Sequence, residues 1–125
     1  MQVLMTQSKE GGTEQCLDIF SGEVEYLGDY QDSKLTLPHM GWNNVTIKHS
    51  HDILKGISDN SFFYFVHSYF TKLNNISEVL TTTNYGYDFA SAISRENIVA
   101  LQFHPEKSSS NGLRILKNFI NWEIK

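Results

Sequence analysis

Residues 97–122, NIVALQFHPEKSSSNGLRILKNFINW, change character twice, and those two changes decide how the chain is read. NIVALQF reads as a continuous apolar strand of the type buried on both faces of a parallel sheet. His104-Pro105-Glu106 then breaks the run with an imidazole and a carboxylate. From Gly112 the apolar residues Leu113, Leu116, Phe119 and Ile120 recur at helical spacing, with Arg114, Lys117 and Asn121 left for water. This predicts an amphipathic helix packed back on the sheet, with Ser108 to Ser110 offering its N-cap. Strand, short polar turn, helix is the unit from which α/β folds are built.

The polar turn has the makings of a chemical site. Residues two apart in an extended segment point the same way, so His104 and Glu106 can meet if extended geometry persists through Pro105. Proline biases the residue before it toward extended backbone, which holds His104 in place. A carboxylate accepting from one imidazole nitrogen fixes the tautomer and leaves the other nitrogen to exchange a proton with a nucleophile. The carboxyl end of a strand is also where open α/β sheets bind their ligands.

Working outward, KEGGTEQ (9–15) is a polar loop, SGEVEYLG (21–28) a short strand bounded by glycines, and NNVTIK (43–48) a β-branched strand. SFFYFVHSYF (61–70) reads as one buried aromatic strand, and SEVLTTTNYGYDFASAIS (77–94) as two strands around a Tyr-Gly turn. The opening MQVLMTQS would suit a helix with Val3 and Leu4 inward, yet it has no cap and no strand before it.

The chain has 125 residues, the size of one domain, with 40% hydrophobic and 19% charged residues, which places it among globular proteins. A net charge of -4 argues against a nucleic-acid partner. No apolar stretch approaches the roughly 18 residues of a membrane-spanning helix. A single cysteine, Cys16, forbids an internal disulfide and fits a reducing compartment, so the expected location is cytoplasmic. His39, His49 and His51 raise the possibility of a metal site, but no carboxylate or cysteine stands at ligand spacing, so they are read as loop histidines and no metal is expected.

Three motifs taken together, LPHMGWNNV (37–45), YFVHSYF (64–70) and LQFHPEKS (101–108) followed by a helix, resemble in that order the glutaminase subunits of imidazole glycerol phosphate synthases, which are class I, triad-type glutamine amidotransferases. The resemblance runs from Met1 to the end. It implies an α/β, flavodoxin-like sheet, mainly parallel, and hydrolysis of glutamine by a Cys-His-Glu triad without a cofactor. Ammonia would pass to a cyclase/synthase subunit of (β/α)8-barrel type in histidine biosynthesis. Carried over motif by motif, His104 resembles the general base and Glu106 its orienting carboxylate. Gln2, His67, Ser68 and Tyr69 resemble residues that hold the substrate glutamine, and Trp42, Tyr64 and Lys107 resemble residues at the interface to the ammonia-using subunit.

The nucleophile is what the resemblance lacks. The family carries its cysteine in a pattern like G-x-C-L-G-M-Q, and Met1-Gln2 resemble its last two positions, so residues 1–125 are expected to be the carboxyl-terminal portion of one incomplete domain whose first strands and cysteine are missing. Cys16, in TEQCLDIF, has no glycine elbow around it and reads as an incidental thiol. The chain alone is therefore expected to be inactive, and a sheet edge stripped of its first strands to invite association. Two other readings stay open at this point: an amidotransferase for amino-sugar synthesis in surface polysaccharide, and a non-catalytic remnant that binds the partner.

Overall fold

The computed structural model describes residues 1–31 and 35–123. A small hairpin, β1 (Gln7–Ser8) and β2 (Glu14–Gln15), leads into β3 (Gly22–Tyr26). Next come β4 (His39–Asn44), β5 (Thr46–Ile47), β6 (Phe62–His67) and β7 (Tyr69–Leu73). β8 (Val79–Asn84), β9 (Asp88–Arg95) and β10 (Ile98–Leu101) run up to the His-Pro-Glu turn, and α1 (Ser109–Asn121) follows it. The strands form sheets in the orders β2-β1-β3-β7, β10-β9-β8-β5 and β4-β6.

The fold is mixed α/β, as the sequence indicates, but its pairing departs from the mainly parallel sheet expected. Among the described strands β1–β3 is parallel and the other pairs are antiparallel. The reason is connection length. β8, β9 and β10 are joined by tight turns, and a tight turn permits only antiparallel neighbours, whereas a parallel pair needs a crossover of about a dozen residues. Consequently β10 is not buried on both faces: it lies at the end of its sheet, with Ala100 buried and Ile98, Val99 and Leu101 half-buried.

The aromatic run is two strands rather than one. Along β6, Phe63, Phe65 and His67 point inward while Phe62, Tyr64 and Val66 are more exposed, the alternation of a strand with one buried face. Ser68 breaks the run, and Tyr69 to Leu73 then pair with β3 instead of β4. Phe63 and Phe65 join Leu27, Phe70, Phe89, Phe103 and Ile115 in the larger core, and each fully buried ring contributes about 2–3 kcal/mol. Met5, Phe20, Val24 and Ile93 form a second core under β3 and β9.

Two sequence expectations of inward faces are revised. In the amino-terminal segment a single 3-10 turn (Gln2–Leu4) replaces the helix; Leu4 packs half-buried against the second core as expected, but Val3 is exposed and Met5 is the fully buried residue. In α1 the inward residues are Gly112, Ile115 and Asn118, whereas Leu113, Leu116, Phe119 and Ile120 are exposed. Polar anchoring decides the rotation: the Asn118 side-chain amide donates to the Ile53 and Lys55 carbonyls at 2.9 and 2.7 Å, and Gly112 abuts the Pro105 carbonyl so closely that a Cβ there would collide with it. Hydrophobic period alone cannot see such bonds.

Candidate active site

The His-Pro-Glu segment is locked by a ring of hydrogen bonds around Ser108. The His104 backbone N–H donates to the Tyr64 carbonyl at 2.9 Å, the Tyr64 N–H donates to Ser108 Oγ at 2.9 Å, and that hydroxyl donates to the His104 carbonyl at 2.6 Å. Ser108 is buried, so its hydroxyl knits the turn to β6 and makes no cap bond to the helix it precedes. The N-cap expectation thus falls on the right residue but the wrong bond. Ser108 is also a residue whose positioning part the sequence did not reveal, since a serine before a helix reads first as a cap.

His104 itself is extended (φ -100°, ψ 100°), as a residue before proline should be. The chain then turns through a 3-10 segment, Pro105–Lys107, so the approach to Glu106 comes from a turn and not from a continued strand. The two side chains meet all the same, with His104 Nδ1 and Glu106 Oε1 2.8 Å apart. Its own backbone N–H holds the Glu106 carboxyl below the usual glutamate range, opposed by burial and reinforced by the His104 ring and Lys107. An ionised carboxylate accepts only, so Nδ1 carries the proton and Nε2 is the ring nitrogen left to act.

His104 lines a cleft of about 630 Å³ together with His67, Ser68, Tyr69, Gln102 and Gln2. The one-residue break between β6 and β7 puts Ser68 on its rim, where the Ser68 carbonyl is held by the Leu27 N–H at 2.9 Å. Gln2 reaches the cleft, but its amide nitrogen donates to the Tyr69 carbonyl at 3.0 Å and to Gln102 Oε1 at 3.3 Å. His67 is buried beside it and linked to the equally buried His39; burial pushes the His39 imidazole down to about 4, with His67 adding to the effect, and lowers His67 as well. Polar groups on four separate segments therefore converge on one cleft: Gln2, Glu10, residues 67–69, and Gln102 with His104.

The second group of sequence-selected residues is also brought together. Trp42 and Tyr64 are cross-strand partners with edge-to-face rings 6.0 Å apart, and Lys107 Nζ lies 5.9 Å over the Tyr64 ring. Trp42 is 53% exposed, with Met40 and Phe62 exposed on the same strands, so this is an uncovered apolar patch next to the turn.

The remaining candidates scatter. Cys16 lies by the β1–β2 hairpin and is not among the cleft residues. His39 is a buried strand residue, not a loop histidine, because its ring stacks between Tyr85 and Phe65 at 4.1 and 4.9 Å. His49 bonds the Val79 carbonyl and His51 accepts from the Ile53 N–H. Among the described residues no three histidine, cysteine, aspartate or glutamate side chains converge as metal ligands would. No helix among them is long and apolar enough to cross a membrane.

Comparison with known proteins decides the family. The model of the glutamine amidotransferase class-I family matches residues 5–122. The chain belongs to that family. Its relatives include subunits named imidazole glycerol phosphate synthase subunit HisH. The one from Methanosarcina acetivorans is 47% identical over 121 residues, covering 95% of this chain and 58% of the relative. That from Hydrogenovibrio crunogenus is 43% identical over 98% of this chain and 57% of the relative. The HisH 1 subunit of Pseudomonas aeruginosa is 40% identical over 98% of this chain and 59% of its own length. The chain thus spans under two thirds of the length of these relatives. Their names place them in the synthase of imidazole glycerol phosphate and give the amino-sugar reading no support.

Proposed function

We propose that this chain contributes the base and the substrate-holding half of a glutamine-hydrolysing site, as the glutaminase subunit of an imidazole glycerol phosphate synthase in histidine biosynthesis. One observation carries the reading: the His104–Glu106 pair, 2.8 Å apart, opens on the cleft that His67, Ser68 and Tyr69 line. Family membership and the names of the relatives support it.

In this reading His104 Nε2 takes the proton of a thiol supplied from outside the 125 residues. The thiolate adds to the side-chain carbonyl of glutamine, the C–N bond breaks, and His104 returns the proton to the departing ammonia. A glutamyl thioester remains. His104 then draws a proton from water as it attacks, releasing glutamate and restoring the thiol. Glu106 keeps Nδ1 protonated and steadies the imidazolium at each stage. Residues 67–69 hold the glutamine, with Gln2 bracing Tyr69. No metal or cofactor is called for, because each step is a proton transfer or an acyl transfer.

The exposed group of Trp42, Tyr64 and Lys107 is the docking face for a cyclase subunit of (β/α)8-barrel type, which consumes the ammonia. It lies beside the turn that carries His104, so ammonia would leave over a short distance. A cytoplasmic location belongs to the same reading.

The test is ammonia release from L-glutamine. The chain alone is expected to give no turnover, since its one thiol is not among the residues that line the cleft. Release that disappears in His104→Ala would overturn the assignment of the nucleophile to a source outside these residues.

A further inference from the structure

The buried pair His39 and His67 is not accounted for by the base or by the docking face. The two residues are direct cross-strand partners in the β4–β6 ladder, 3% and 7% exposed. His39 Nδ1 lies 2.9 Å from His67 Nε2, His67 Nδ1 lies 2.9 Å from the Tyr69 carbonyl, and His39 Nε2 lies 3.2 Å from the Asn43 amide nitrogen. Asn43 is itself fixed, because Oδ1 accepts from the Asn44 N–H at 2.8 Å and Nδ2 donates to the Asn84 carbonyl at 2.8 Å.

These contacts admit one arrangement of protons with both rings neutral. A carbonyl only accepts, so His67 Nδ1 must carry hydrogen and its Nε2 must accept. His39 Nδ1 must then donate, leaving His39 Nε2 to accept from Asn43. The bonds run outward from the Asn43 amide, to the Asn84 carbonyl in β8 on one side and through His39 and His67 to the Tyr69 carbonyl at the cleft on the other. An extra proton on His67 would set two donors face to face. To relieve that, His39 would turn Nε2–H against the Asn43 amide, which the Asn44 N–H and the Asn84 carbonyl prevent from flipping.

We propose that His39 is a positioning residue for the glutamine-holding segment: by donating to His67 it keeps His67 in the Nδ1–H tautomer that pins the Tyr69 carbonyl and so sets the bend at residues 67–69. This rests on the reading of that segment given above. Gln2 donates to the same carbonyl, so two side chains hold it turned inward. The proton on His39 is therefore felt at the substrate, through one ring and one carbonyl, without His39 touching it. The titratable groups around the pair are Tyr85, stacked on His39, His104 on the same cleft as His67 with Glu106 bonded to it, and Glu10, which also lines that cleft; among the described residues neither ring is bonded to a carboxylate.

Long-range 1H–15N spectra of the chain read the tautomers directly. Both rings are expected to be neutral with hydrogen on Nδ1 at pH 7. His39→Phe keeps the stacking between Tyr85 and Phe65 but removes the donor, and His39→Asn restores an amide donor near the Nδ1 position. In His39→Phe the His67 ring should titrate at a higher pH than in the wild type, because the bond that opposed a proton on Nε2 is gone. The Ser68 and Tyr69 amide resonances should move with it. In His39→Asn both should return toward wild type, which a merely space-filling histidine would not produce. L-Glutamine titrated into the same samples should bind about tenfold more weakly to His39→Phe and within about threefold of wild type to His39→Asn. A His67 carrying hydrogen on Nε2, or equal glutamine affinity in wild type and His39→Phe, overturns the proposal. A wild-type chain with the expected tautomers that binds no glutamine overturns instead the reading of residues 67–69 on which it rests.

Discussion

Replacing Ser108 by alanine removes one oxygen and tests whether the His-Pro-Glu turn is held as described. Ser108 is 1% exposed, and its Oγ both accepts from the Tyr64 N–H and donates to the His104 carbonyl. Alanine leaves these two backbone groups without that partner. Each net hydrogen bond is worth about 1 kcal/mol, and each buried group left unsatisfied costs about 1–3 kcal/mol. Tyr64 and His104 are half-buried rather than fully enclosed, and the His104 carbonyl keeps a bond from the Lys107 N–H at 3.1 Å, so the lower end applies. The expected loss is about 2 kcal/mol. Urea titration followed by tryptophan fluorescence should show it as a midpoint lower by about 1 M with an unchanged slope. If Ser108 were only an N-cap, the alanine variant would lose helix stability while the His104 and Tyr64 amide resonances stayed in place. A midpoint within about 0.2 M of wild type, with those resonances unmoved, would refute the reasoning.

Gly112→Ala sets propensity against packing: alanine favours helix by about 1 kcal/mol, yet its Cβ would meet the Pro105 carbonyl, so a net loss of about 1–3 kcal/mol is expected in the same titration. Stability should also fall in acid on account of His39. Its imidazole is neutral in the fold down to about 4 and would take a proton near 6.5 when unfolded, so the unfolded chain binds more protons throughout that interval. The contribution is therefore complete above pH 6.5 and is lost as pH falls toward 4, on the order of 3 kcal/mol from the difference between the two values. In His39→Asn the fall between those pH values should be shallower, and an equally steep fall would sink the argument. Trp42→Ala, at an exposed aromatic of the proposed docking face, should weaken capture of a barrel-type cyclase subunit at least tenfold in a pull-down or titration while shifting the urea midpoint little.

Much of this was legible in the sequence because the decisive signals are local. The strand, the His-Pro-Glu turn and the helix follow from residues that sit together, and the pair His104–Glu106 is two residues apart. The Tyr85-Gly86 hairpin is equally local, with Gly86 taking the positive φ of 77° that the turn needs. What the sequence hid is long-range. Whether Leu113 or Ile115 faces inward depends on Asn118 reaching carbonyls at residues 53 and 55, and whether Ser108 caps a helix or braces His104 depends on Tyr64, a strand away. The parallel sheet was inferred from an apolar run, and an apolar run does not say which neighbour it pairs with. His39 and His67 lie 28 positions apart, so no spacing rule joins them before the β4–β6 register does.

The central claim is that His104 serves a nucleophile contributed from beyond these residues, and a chimera tests it most directly. Residues 1–125 would replace the matching region of the Methanosarcina acetivorans subunit, joined to that relative's own remaining sequence and assayed for glutamine hydrolysis with its synthase partner. The account predicts turnover in the chimera, and a fall in kcat of at least about a thousandfold in His104→Ala with KM changed only severalfold. Equal turnover with and without the imidazole would contradict it.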